Sequence, residues 1–191
     1  MKNKKSIIII AVIVVAIIAI AGAFAGSYNG LVEKRETVTT AQADIATQLQ
    51  RRADLIPNLV NTVKGYAQHE EDVYTAIADA RSALAGAATV DEMNTANSAL
   101  DSALSRLLVV VENYPDLKAS EEFSTLQYEL AGTENRINQA RQSYNEAAKE
   151  FNTKIQRFPT NIIANMFNFE TADYFEASDE AATTPTVDFG K

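Results

Sequence analysis

The stretch FSTLQYELAGTENRINQARQSYNEAAKEFNTKIQRF, residues 123–158, decides the fold. Phe123, Leu130, Ile137, Tyr144, Phe151 and Phe158 recur every seven residues, and Leu126, Thr133, Ala140 and Ala147 fill the positions three further on. This 3-4 alternation lays one apolar stripe along an α-helix, whereas a strand would alternate every second residue. Large side chains at one seam position and small ones at the other let a neighbouring helix approach. The helix would run about 54 Å at 1.5 Å per residue. Ser120 is placed to cap its start, and Pro159 ends it by pushing the preceding residue out of the α region.

Upstream, Val38, Ile45, Leu49, Ile56, Val60, Val63, Ala67, Val73, Ile77 and Leu84 trace a second amphipathic helix. Pro57 lies inside it, removes one backbone donor and predicts a kink; Gly65 is a second soft spot. Gly86 ends this helix. Thr89 and Glu92 then spell a capping box for a third helix through Asn113, carrying Met93, Leu100, Leu104, Leu107, Leu108 and Val111. Tyr114-Pro115-Asp116 breaks it. Short connections predict that successive helices pack antiparallel, so the fold class is all-α, an antiparallel bundle of three to four long helices.

A nearly unbroken apolar run from Ile7 to Ala25 precedes this body, after Lys2, Lys4 and Lys5. As a helix it rises about 28 Å, close to the thickness of a bilayer core, and only a helix satisfies its own backbone in lipid. Ala23-Phe24-Ala25 before Gly26 also reads as a signal-peptidase site, but the run exceeds the usual signal core, so retention as an anchor is the expectation. The leading lysines outnumber Lys34 and Arg35 beyond the run, which predicts an inside amino terminus and an extracytoplasmic body. The expected organisation is a short basic start at 1–6, an anchor at 7–26, a helical body at 28–175 and an acidic disordered tail at 176–191. The formal charge of −8 becomes more negative once the leading lysines are set aside. Such a body repels nucleic acid, and the bilayer is the expected contact of Ile7 to Ala25.

Enzymatic readings find little support. There is no cysteine, and the one histidine, His69, has no Glu three residues before it as a di-iron bundle requires. His69-Glu70-Glu71 lacks the second histidine of a zincin helix. No glycine-rich phosphate loop or nucleophile elbow is present. Neither a metal nor a cofactor is expected, and an unrecognised hydrolase is a minor alternative.

The polar residues of the long helices are patterned. Gln127, Glu134, Asn138, Arg141, Asn145 and Asn152 form two heptad rows beside the apolar seam, and the earlier helix offers Arg51, Arg52, Asp54, Asn58 and Asn61 around its proline. Arg52, Asp54, Asn58, Glu134, Arg141 and Asn145 are the candidate network. It either fixes helix register from within or lines a groove for a partner, and sign-matched charges within the chain favour the first reading.

These strings resemble the LemA family of bacterial membrane-anchored helical proteins. The matching segments are RRADLIPNLVNTVKGYAQHE at 51–70, ENYPDLKAS at 112–120 and LQYELAGTENRINQARQSYNEAAKEFNTKIQRFPTNIIA at 126–164, with Tyr28-Asn29 after the apolar run. The family pattern near its end resembles F-G-F, whereas Asn168 stands here between Phe167 and Phe169. The resemblance implies a single-pass protein of the bacterial cell membrane carrying a helical bundle, with no established catalytic activity. Members are discussed beside envelope proteases and stress systems, and one branch is associated with magnetosome membranes. The resemblance therefore implies a scaffold or adaptor with protein partners of that kind, the alternative being a membrane-shaping protein. Descriptions of some members place the short amino terminus outside the cell, opposite to the reading from the lysines.

Thr160 to Phe175 reads as a short helix docked on the bundle, with an exposed interaction motif as the equal alternative. If the three helices rise, return and rise again, Phe158 ends far from the bilayer. Met166, Phe167, Phe169 and Phe175 then cap the bundle or meet a partner there, away from lipid.

Overall fold

A computed structural model describes residues 2–175, with side chains from Ile7 onward. The expected acidic tail at 176–191 lies outside the described residues. Six α-helices and no strand occur among the described residues: α1 Lys2–Lys64, α2 Glu71–Gly86, α3 Val90–Val111, α4 Pro115–Lys118, α5 Glu121–Gln156 and α6 Thr160–Met166. Residues 171–175 follow without helical structure. The chain divides into two compact units. One comprises the residues up to Thr40 with Glu146–Ala172, and the other comprises Ala41–Asn145 with the segment from Asp173.

The helix expected to run on to Leu84 is interrupted. α1 stops at Lys64, and α2 begins at Glu71. Gly65 weakens the helix at this point. Ala67 N–H still donates to Val63 O at 2.9 Å, while its carbonyl accepts the buried Tyr74 hydroxyl at 2.5 Å. Burial raises the pKa of Tyr74, so the phenol stays protonated and can make that bond. Buried Val63, Ala67 and Ile77 keep their helical spacing across the break, which conceals it in the sequence.

Pro57 does not end α1; the helix continues to Lys64. Proline has no N–H, so the carbonyl four residues earlier, on buried Ala53, loses its helical donor. Arg81 Nε of α2 donates to that carbonyl at 3.0 Å. An interhelical bond thus replaces the missing intrahelical one.

In the second unit, Ile45, Leu49, Ile56, Leu59 and Val63 of α1, Ile77 and Leu84 of α2, and Leu100, Leu104 and Leu107 of α3 are buried. So are Phe123, Leu126, Ile137 and Tyr144 of α5. Fully burying a side chain such as Ile137 contributes about 1.5–3 kcal/mol. The expected caps are present. Glu92 N–H donates to Thr89 Oγ1, and the Glu92 carboxylate accepts from the N–H groups of Ala88 and Thr89, which lower its pKa. Phe123 N–H reaches Ser120 Oγ at 3.4 Å.

In the first unit, every residue from Ile7 to Gly26 is exposed, and this part of α1 is long and apolar enough to cross a membrane. Beyond it Leu31 and Val38 are buried, as are Ala147, Ala148, Phe151 and Ile155 of α5. Lys154 Nζ donates to Gly30 O at 2.8 Å, and Lys34 pairs with Glu150 at 2.5 Å. A Cβ on Gly30 would meet the flexible end of the Lys154 side chain, which would shift to admit it.

Two expectations about the carboxy-terminal part are corrected. Phe158, expected as the last seam residue, is 81% exposed, because α5 ends at Gln156 and the residue before a proline leaves the α region. The segment after Pro159 does not stand far from the apolar run. The Phe167 ring packs 6.0 Å from Phe24 and 4.7 Å from Tyr28, while Phe169 is buried against Tyr28 and Phe151. The expected placement followed from an uninterrupted second helix, and the break at Gly65–Glu70 removes that premise. Asn168 closes α6 in the left-handed region at φ 52°, letting Phe169 N–H reach Ala164 O at 2.9 Å. Asparagine tolerates this conformation better than other residues with a side chain.

Replacing Arg81 by Ala should cost about 1–3 kcal/mol, because it strands a buried carbonyl. In a Pro57→Ala background, which restores the helical donor, the same change should cost much less. Denaturant titration of the four variants of this double-mutant cycle measures the coupling, and additive effects would refute it.

Candidate functional site

Arg52 projects from the buried stripe of α1 and is itself 5% exposed. Its Nη1 donates to Asn97 Oδ1 at 2.7 Å, and its Nη2 donates to Asp101 Oδ1. Asn97 Nδ2 in turn donates to Asp101 Oδ2 at 2.9 Å, so two α3 residues four apart form one acceptor surface. From α5, Glu134 Oε2 lies 2.8 Å from Nη1. That distance makes an ion pair, but the alignment does not make a hydrogen bond, and the oxygen is buried without a donor. Arg52 Nε is likewise buried and unpartnered.

Arg141 stands seven residues beyond Glu134 and faces the same cluster. Burial lowers its pKa, Glu134 and Asp101 oppose the shift, and Arg52 adds to it. Two cations and two carboxylates therefore balance formally, in a setting where a lone charge would be costly. Arg141 Nε and Nη2 are buried without hydrogen-bond partners, and its guanidinium carbon lies 5.4 Å from the Phe175 ring centroid.

Asparagines hold the segment after α6. In the second unit, Asn145 Nδ2 donates to Phe175 O and Phe175 N–H donates to Asn145 Oδ1, both at 2.9 Å. In the first unit, Asn152 makes the same reciprocal pair with Ala172, both bonds at 2.8 Å. A side-chain amide carries one acceptor and donors in the geometry of a peptide, so it can pair with one residue as an adjacent strand would. The Tyr144 hydroxyl donates to Asp173 O at 2.9 Å, and the Phe175 ring meets Tyr144 edge-on at 5.2 Å. Burial raises the Tyr144 pKa, with Asp173 adding to the shift. Phe175, 6% exposed, thus covers Arg141.

Of the six residues singled out from the sequence, Arg52 and Glu134 pair directly, Arg141 neighbours them electrostatically, and Asn145 fixes the residue that covers Arg141. Asp54 and Asn58 are exposed and stand apart from Arg52; Asp54 accepts from Gln50 Nε2 at 2.8 Å. Sequence reasoning missed Asn97 and Asp101, and it named Phe175 only as a residue capping the bundle or meeting a partner. Asn97 did leave a signal, because it is a polar residue in the α3 stripe between Met93 and Leu100. Among the described residues, no three or more His, Cys, Asp or Glu side chains gather as a metal ion would require.

Fold and site together define an all-helical protein whose first helix begins as an exposed apolar rod and whose body holds a buried, charge-balanced cluster. The pattern of the LemA family matches residues 41–189, and the chain belongs to that family. It is similar to Magnetosome protein MamQ 2 of Paramagnetospirillum magneticum, with 26% identity over 91% of this chain and 73% of that protein. Protein LemA of Metamycoplasma hominis is 28% identical over 82% of this chain and 72% of its own length. Magnetosome protein MamQ of Magnetospirillum gryphiswaldense is 23% identical over 94% and 77%.

Removing both Asp101 and Glu134 by alanine substitution should cost about 3–5 kcal/mol, since it leaves the buried Arg52 guanidinium unpaired. Arg52→Met should cost less, because the carboxylates left behind are 44% and 35% exposed and can turn to water. Denaturant titration of the detergent-solubilised protein compares the two. The hold on the segment after α6 is tested by hydrogen exchange. Asn145→Ala should raise exchange of the Phe175 amide about tenfold or more, the loss expected for bonds of about 1–1.5 kcal/mol each. Asn152→Ala should release the Ala172 amide in the same way.

Proposed function

We propose that this chain is a single-pass, membrane-anchored scaffold or adaptor of the bacterial envelope, acting through protein–protein contacts. The observation that carries the reading is the division of labour within α1. Its exposed apolar stretch from Ile7 to Gly26 has the length of a bilayer span, and from Leu31 the same helix contributes buried residues to the body. In this reading residues 7–26 are the anchor and 28–175 the helical body. The lysines before the run favour an extracytoplasmic body.

The body is an antiparallel bundle packed through coiled-coil-like seams. Gly30 meets Lys154 and Lys34 meets Glu150, so partners descend α5 as they ascend α1. The seven-residue repeat of buried Phe123, Ile137, Tyr144 and Phe151 supports the seam. The cluster of Arg52, Glu134 and Arg141 fixes register, supported by the intramolecular partners that Arg52 finds on α3 and α5. Asp54 and Asn58, exposed on α1, remain available to a partner. No catalytic role is assigned.

Photo-crosslinking in intact cells from Asn58 and Tyr128, followed by identification of attached proteins, tests the proposal. Discrete protein neighbours, such as envelope protease or stress-system components, are expected. Adducts only between copies of this chain, enriched on curved membrane, would replace it with a membrane-shaping role. The similarity to magnetosome proteins favours that second reading.

A further inference from the structure

We infer that the segment from Phe158 to Phe167 is a second membrane contact, lying in the lipid–water interface beside the end of the anchor. Ile162 and Met166 stand four residues apart on α6 and are 53% and 61% exposed, and Phe158, just before the helix, is 81% exposed. Four-residue spacing puts Ile162 and Met166 on one helical face, so this face is apolar and unpartnered. The opposite side is used: Ile163 and Ala164 are buried, and Phe169 after the helix is buried as well. α6 is therefore amphipathic, with one face in its own unit and the other open.

The occupant of the open face follows from where it begins. Phe167, 46% exposed, packs on Phe24 and Tyr28. Phe24 belongs to the last turn of the apolar run, and a run rising about 28 Å from Ile7 brings that turn to the edge of the hydrocarbon core. The patch is thus continuous with the lipid-facing surface of α1 and lies at the depth where aromatic side chains collect in membrane proteins. Charge agrees. Residues 157–169 contain Arg157 and no Asp or Glu, in a chain of formal charge −8. Exposed Asn165 and the backbone beyond the helix supply the polar border of an interfacial element. The apolar run of this segment is too short to span, so it lies along the surface.

This inference rests on the anchor reading of Ile7 to Ala25, and one experiment separates the two. The chain contains no cysteine, so single cysteines can carry a fluorophore without background labelling. The full chain is reconstituted into phosphatidylcholine–phosphatidylglycerol vesicles containing lipids brominated at shallow or deep acyl positions. Labels are placed at Ile13, Ile162, Met166 and Tyr128, the last 82% exposed in the other unit. Ile13 should lose emission with deep bromines. Ile162 and Met166 should lose it with shallow bromines and keep it with deep ones, and Tyr128 should keep it with both. Quenching at Ile13 with none at Ile162 or Met166 would overturn the second contact and leave the anchor standing. Shielding of those two labels from aqueous iodide without lipid quenching would assign the face to protein and overturn it equally. No quenching at Ile13 would remove the anchor, and this inference with it.

Discussion

A guanidinium withdrawn from water must find acceptors, and Arg52 is withdrawn almost completely. It finds them on α3 in Asn97 and Asp101 and on α5 in Glu134, so one side chain of α1 is joined to two other helices. Apolar seams alone specify helix register weakly, because sliding a helix by one heptad repacks similar side chains. A buried cation with directional partners has no equivalent position to slide to. Arg141 enters the same field from α5 with its charge offset by Glu134 and Asp101, and Phe175 closes over it.

The same accounting governs the backbone. Pro57 deprives Ala53 of a donor and Arg81 supplies one; the turn after α1 leaves the Ala67 carbonyl free and Tyr74 donates to it. The segment after α6 has no helix or strand of its own, yet Ala172 and Phe175 each satisfy both backbone groups on an asparagine. Irregular backbone is stable here because side chains of regular elements complete its hydrogen bonds. These asparagines and tyrosines are therefore structural members, although from the sequence they look like ordinary polar decoration.

Arg52, Asp101 and Glu134 are engaged with one another, and two of the surfaces left open differ in kind. One is the apolar stretch of α1 with the open face of α6; the other is the polar outer face of the long helices.

The heptad stripe of α5, the capping box at Thr89 and Glu92, and the apolar run at the amino terminus were legible because each rests on spacing within one helix. Local periodicity by itself determined the all-α class and the presence of a helix fit to cross a membrane. Arg52, Glu134 and Arg141 were legible as candidates for a similar reason, as charges on rows beside an apolar seam. The break after Lys64 was hidden, because Val63, Ala67 and Ile77 preserve helical phase across it. Only the tertiary structure decided that Asn97 and Asp101 complete the cluster, that Asp54 and Asn58 stay outside it, and that Phe167 rests on Phe24. Each of those depends on which residues from distant parts of the chain meet. Helical phase fixes the face on which a residue lies; packing between helices decides what that face touches.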